Sequence, residues 1–204
     1  MTGKSHLATN VSCAVISLNI LSLATVSSNQ TLCSFSDKSF EFLIGKSNSF
    51  NPFLWVTLGS IFFLIGSILP DIDSEKSMIS KLLHFHLPFE HRTWTHSIWA
   101  VVFLIICSLA FRPFVFMLAG YVMHLFWDAF SSAGVCFFYP IDKYRSYGNG
   151  AKVKKGHKLK LYHTGQASEY ILLGIIMTLT VLMCIWLIVN GTYANALNII
   201  KQTI

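Results

Sequence analysis

The chain has 204 residues, of which 53% are hydrophobic, 14% aromatic and only 12% charged. A soluble domain averages roughly 25% charged residues, so the composition excludes an ordinary water-soluble fold and indicates an integral membrane protein of one domain, residues 1–204. The formal net charge of +6 fits basic residues at the ends of apolar runs, which orient membrane proteins, and not a nucleic-acid partner.

A membrane helix needs about 20 apolar residues, and five stretches are read as spans. The first, Leu7–Val26, is interrupted by Asn10, Asn19 and several serines. Its leading segment, 1-MTGKSHLATN-10, has one lysine and no small-residue cleavage site, so it is not expected to be a removed signal peptide. A polar loop, Ser27–Asn51, precedes the second span, Phe53–Leu69. Ser97–Phe111 and Phe114–Phe130 are separated by Arg112-Pro113, which predicts a tight helical hairpin. A long basic loop, Ser131–Ser168, leads to the last span, Glu169–Val189. The expected fold is all-α, a polytopic membrane helical bundle. With the N-terminus in the cytoplasm, eleven of the fifteen lysines and arginines fall inside, leaving Lys38, Lys46, Arg112 and Lys201 outside. The five cysteines form no C-x-x-C pair and read as small buried hydrophobes.

In this topology the ionisable residues collect at one membrane surface. His6 precedes the first span, Asp71 and Asp73 close the second, and His91 and His96 open the third. His124 and Asp128 lie in the last turns of the fourth, and Glu169 opens the fifth. Random scatter would put several on the opposite side. Taken singly, His6 reads as a solvated residue near a terminus, the aspartates behind Pro70 as a helix end, and His91 and His96 as interfacial groups. The stretch 124-HLFWD-128 resists the plain reading, because four-residue spacing puts both side chains on one helical face. Intramembrane ionisable groups are costly and have partners. A divalent metal explains the whole set, since imidazole and carboxylate are ligands for zinc and similar ions. There are enough ligands for two or three ions, with zinc expected and manganese or magnesium also compatible. A bound metal lowers the pKa of water towards about 7.

These residues sit in motifs that resemble the YdjM-like family of membrane-bound metal-dependent hydrolases. The resemblance is carried by 69-LPDID-73, 91-HRTWTHS-97 and 120-GYVMHLFWDAFSSAGV-135, together with 3-GKSH-6 and 164-TGQASEY-170. It covers most of the chain. Through that family the chain is distantly similar to the zinc-dependent phospholipase C superfamily, whose H-x-x-x-D element matches His124 and Asp128. The resemblance implies metal-dependent hydrolysis without identifying the substrate. Two positions depart from the pattern. Glu90 stands where a glycine commonly precedes the His-Arg pair, and His163 lies six residues before Glu169, not four. His84 and His86, in 83-LHFHLPF-89, fall outside the motifs and read as interfacial or lid residues.

The expected activity is phosphoester hydrolysis on a phospholipid or lipid-linked phosphate at the cytoplasmic face of the inner membrane. The expected metal set is His6, Asp71, Asp73, His91, His96, His124, Asp128 and Glu169. One of Asp71 and Asp73 can instead serve as general base; the residues leave open which. Arg92, Lys154 and Lys155 are candidates to attract an anionic headgroup, although such lysines also anchor loops to anionic lipid. The alternative is a divalent-metal or proton transporter, whose ligands would extend through the midplane; a scaffold with one closed structural metal site is a third reading. Oligomeric state is not readable from the chain.

Overall fold

The structure, a computed structural model, describes residues 3–26, 52–85, 87–141, 144–147, 150–153 and 159–191. Its elements are α1 (Gly3–Val26), α2 (Pro52–Ile68), a 3-10 turn at Leu69–Asp73, α3 (Met78–Leu83), a 3-10 turn at Trp94–His96, α4 (Ile98–Ala110) and α5 (Phe114–Phe130). A small antiparallel hairpin follows, β1 (Tyr144–Tyr147) and β2 (Gly150–Val153), and then α6 (Ala167–Val189). All five expected spans are therefore helices, and the hairpin is an addition within the basic loop. Contacts group the chain into two compact units, one of Met1–Asn10 with Thr57–Leu173 and the other of Val11–Val56 with Gly174–Ile204.

Burial in the first unit runs opposite to that of a soluble domain. Ser5, His6, Thr9 and Asn10 of α1 are buried, and their spacing places them on one helical face. Outward-facing positions of α4 include Phe103, Ile106 and Leu109, which are 65%, 60% and 82% exposed. Holding such side chains in water forfeits roughly 1.5–3 kcal/mol each, so their natural surroundings are lipid. Polar faces turned inward, with apolar faces outward, are how membrane helices satisfy both environments.

Local chemistry explains the helix ends. Pro70 cannot donate a backbone hydrogen bond, and α2 tightens there into the 3-10 turn that carries Asp71 and Asp73. Ser77 caps α3 by accepting from the Ser80 amide at 3.1 Å. The α4–α5 hairpin turns through Arg112-Pro113, with the Phe114 amide bonded to Phe111 O at 3.0 Å. Buried residues of α5 recur at 117, 120, 121, 124, 125, 127 and 128, a stripe of helical period. Its upper part packs Met117, Tyr121 and Leu125 with Leu104 of α4; its lower part carries His124 and Asp128.

Two glycines bring α2 and α5 into backbone contact. A Cβ on Gly66 would lie 2.1 Å from Met117 O, and one on Gly120 would lie 2.3 Å from Phe63 O. Such small-residue crossings let membrane helices approach closely. The approach places Ser67 O beside α5, where His124 uses it. In the second unit, the Asn19 side-chain amide lies 3.4 Å from Cys184 Sγ, and Leu187 is fully buried.

Candidate metal centre

The first unit brings seven of the eight expected ligands into one cluster. Asp71 Oδ1 lies 3.4 Å from His124 Nε2, 3.8 Å from His91 Nε2 and 3.9 Å from His96 Nε2. Asp128 reaches the same set from α5, with Oδ2 at 3.3 Å from His96 Nε2 and 3.8 Å from His124 Nε2. Asp128 Oδ1 is 3.2 Å from His6 Nε2. The His6 and His124 rings stack at 3.8 Å. Two groups have ligand atoms close enough to hold an ion, His6 with His124 and Asp128, and Asp71 with His91 and His96.

Hydrogen bonds on the far side of each ring decide which nitrogen faces inward. His124 Nδ1 donates to Ser67 O at 2.8 Å, which leaves the lone pair on Nε2. His91 Nδ1 lies 2.6 Å from Asp73 Oδ1, with the same consequence. Thr95 has one hydroxyl hydrogen and gives it to Asp73 Oδ2, so at 3.0 Å it accepts from His96 Nδ1. Three imidazoles therefore turn basic nitrogens towards carboxylates. His96 Nε2 and His124 Nε2 are buried and make no hydrogen bond. Lone pairs facing each other in a buried site repel unless a cation lies between them. Metal–ligand distances of about 2.0–2.2 Å put neighbouring ligand atoms of a tetrahedral ion about 3.4 Å apart, which matches the observed 3.3–3.9 Å separations. The donor set fits zinc or another borderline divalent ion.

Asp73 stands behind this array. Both its oxygens are engaged, by His91 Nδ1 and by the Arg92 amide at 3.2 Å together with Thr95 Oγ1. A carboxylate that orients a histidine is the usual outer partner of a metal ligand. Glu169 is fully buried and accepts from the Gly165 amide at 2.7 Å, closing the turn that starts α6, and it stands outside both ion-holding groups. Arg92 turns inward and not towards a headgroup. Its guanidinium is 3.0 Å from Asp128 Oδ1 and 3.3 Å from Ser131 Oγ, on a backbone with φ of +71°. Lys154, Lys155 and His86 lie outside the described residues; His84 and His163 are exposed and belong to neither ion-holding group.

Burial alone would raise the Asp71 carboxyl, but positive charge facing it, carried by the imidazoles of His124, His91 and His6 when protonated or by an ion held among them, lowers it below the usual carboxylate range. It is ionised at neutral pH. Only Asp71 and His91 open to the surroundings, with side chains 12% and 19% exposed, whereas those of His96, His124, Asp73 and Asp128 are at most 1% exposed.

Several supporting residues were not anticipated from the sequence. Tyr162 is buried and donates to Trp127 O at 2.7 Å, while its backbone pairs beside Ser131 and fastens residues 159–162 to the end of α5. Burial, with the nearby Asp128 charge, pushes its phenol up. Ser67, Thr95, Tyr121 and Ser131 likewise act through hydrogen bonds to the cluster or its scaffold. Ser67 adjoins a quoted motif and Thr95 lies within one, but which ring nitrogen they fix is a tertiary fact. Nothing in the local sequence marks Tyr162.

These features define an all-α membrane protein with a buried His/Asp cluster able to hold metal. The chain belongs to the family described as YdjM inner membrane protein, which matches residues 1–195. Comparison with curated proteins and with solved structures gave no match.

Proposed function

We propose that the chain is a membrane-bound, metal-dependent hydrolase that cleaves a phosphoester of a phospholipid or lipid-linked phosphate. The observation that carries this reading is the pair of buried imidazole nitrogens, His96 Nε2 and His124 Nε2, that make no hydrogen bond and face Asp71 and Asp128, with His91 Nε2 beside them. His6, His124 and Asp128 would hold one ion, and Asp71, His91 and His96 another. When bound, such ions polarise a phosphoryl oxygen and make hydroxide available near neutral pH.

The chain's own residues supply orientation. Asp73, with Thr95, keeps His91 and His96 in the tautomers that present Nε2. Arg92 neutralises and aims Asp128. Asp71 is the most open carboxylate of the cluster, and it faces the Nε2 atoms of His91, His96 and His124, which suits it to ligation. In the proposed topology α1, α2, α4, α5 and α6 all cross the inner membrane, and the site lies at their cytoplasmic ends. Of the described helices, α6 alone is long and apolar enough to cross by itself, while α4 and α5 are shorter apolar helices. A crossing by these shorter helices requires local thinning or flanking interfacial residues.

Metal analysis of the purified protein, joined to a screen for phosphate or headgroup release from lipid, tests this reading. Bound zinc, release that stops on chelation, and loss of release in Asp128→Asn are expected. Ion flux across sealed vesicles with no hydrolysis would replace the hydrolase by a transporter. Protein that purifies without metal and takes up none would end the reading.

A further inference from the structure

Between α2 and α4, the chain does something the metal centre does not require. Residues 78–85 and 87–89 lie outside both helices, yet they expose apolar side chains: Leu82 is 72% exposed, Phe85 55% and Leu83 54%. Phe89, Trp94 and Trp99 are exposed as well. Aromatic contacts knit this rim, from Phe89 to Trp94 at 6.5 Å and from Trp94 to Tyr139 at 5.1 Å, and Trp99 Nε1 donates to Tyr139 O at 3.2 Å. Lys76 and Lys81 are exposed beside it.

The segment is fastened, not loose. The Leu87 amide donates to Ile72 O at 2.9 Å, and Ser80 Oγ reaches the same carbonyl at 3.3 Å. Ile72 lies between Asp71 and Asp73, so the apolar lip is tied to the turn that carries the site's carboxylates. His91, the other open ligand, follows two residues after Phe89. In α3 the residues that face inward are Ile79 and Ser80, while Met78, Lys81, Leu82 and Leu83 face out.

An exposed apolar patch needs a partner, and its chemistry here names one. Trp and Tyr collect at the membrane–water boundary, where an apolar ring and a polar tip are both accommodated. Short apolar faces flanked by lysine lie in that layer on anionic bilayers. The patch is continuous along the chain with two apolar helices of a family of inner membrane proteins.

We propose that residues 78–85 and 87–89, with Trp94 and Trp99, are seated in the headgroup–acyl boundary of an anionic bilayer, so that the open edge of the metal site at Asp71 and His91 meets molecules held in that layer and not bulk water. This placement depends on reading α2 and α4 as membrane-crossing helices, and it does not depend on the site being hydrolytic.

Depth measurement tests it directly. Single cysteines at Leu82, Phe85 and Glu75, in the full chain with its five native cysteines replaced, are spin-labelled in nanodiscs containing phosphatidylglycerol. Labels at 82 and 85 are expected about 5–10 Å below the phosphate plane, open to oxygen and shielded from a water-soluble nickel chelate. The label at 75 is expected to show the reverse. Labels at 82 and 85 that sit in water like that at 75 overturn the proposal, even where phosphate release and metal content persist. Should the cysteine-free chain fail to fold, brominated lipids supply the same readout on the native chain. Bromines near the glycerol are expected to quench Trp94 and Trp99 emission, measured as the difference from Trp94→Phe and Trp99→Phe proteins, more than bromines near the chain ends. Equal or absent quenching overturns it.

Discussion

Replacing Asp73 by asparagine changes one atom and separates an orienting role from a ligating one. Asp73 accepts from His91 Nδ1 at 2.6 Å, from the Arg92 amide at 3.2 Å and from Thr95 Oγ1. Asparagine has a single acceptor oxygen. With that oxygen kept towards His91, the Arg92 amide and the Thr95 hydroxyl face an NH2 group and lose their acceptor. With the amide reversed, NH2 meets His91 Nδ1, the ring proton moves to Nε2, and that nitrogen can no longer bind an ion. At least one buried donor is orphaned either way, at a cost of about 1–3 kcal/mol in stability. Loss of an outer carboxylate weakens metal binding about 10–100-fold, equivalent to about 1.4–2.7 kcal/mol. Competition between the purified protein and a chromophoric chelator measures the affinity, and thermal unfolding in detergent reports on the fold. The expected result is weaker binding with full occupancy recovered at high zinc. Unchanged affinity in Asp73→Asn refutes the tautomer chain. An ion lost even at saturating zinc, from a protein that still unfolds cooperatively, makes Asp73 a direct ligand and refutes its role as the group behind His91.

Other substitutions probe the same scaffold. Arg92→Ala strips Asp128 of its guanidinium partner, and breaking a buried pair from one side costs about 3–5 kcal/mol; a large fall in thermal midpoint is expected. Arg92→Gly is expected to be milder by about 1 kcal/mol, because the left-handed backbone at φ of +71° no longer carries a Cβ, and equal midpoints for the two variants would refute the strain. Gly120→Ala drives a Cβ against Phe63 O and Ser67. It should destabilise by about 1–3 kcal/mol and also weaken zinc binding, since Ser67 O holds His124 Nδ1; a melt without an affinity change would separate packing from the site. Chelation should lower the thermal midpoint of the wild-type chain, with about 2.7 kcal/mol at stake when free zinc stands at 100 times its Kd.

How much of this was legible beforehand follows from the distance over which each feature is decided. The apolar runs were readable as helices because a membrane helix satisfies its backbone within the run itself. The ends at Pro70 and Arg112-Pro113 were readable because proline acts on its neighbours. Four-residue spacing alone put His124 and Asp128 on one face. The convergence of His6, Asp71, His91, His96, His124 and Asp128 was inferred from their shared membrane level, and the structure brings these six together.

Division of labour within the cluster was not legible. Asp71 and Asp73 are two residues apart with the same side chain, yet one faces three imidazole nitrogens and the other stands behind His91. Their difference arises in a 3-10 turn whose direction depends on where residues 91–96 return. Arg92 looked like a surface cation because its inward partner, Asp128, lies 36 residues away on another helix. Local order alone determined the helices and the inventory of ligands in this protein. Tertiary structure decided which nitrogen faces which carboxylate, because a ring tautomer is set by the hydrogen bond on its far side, and those partners come from distant segments.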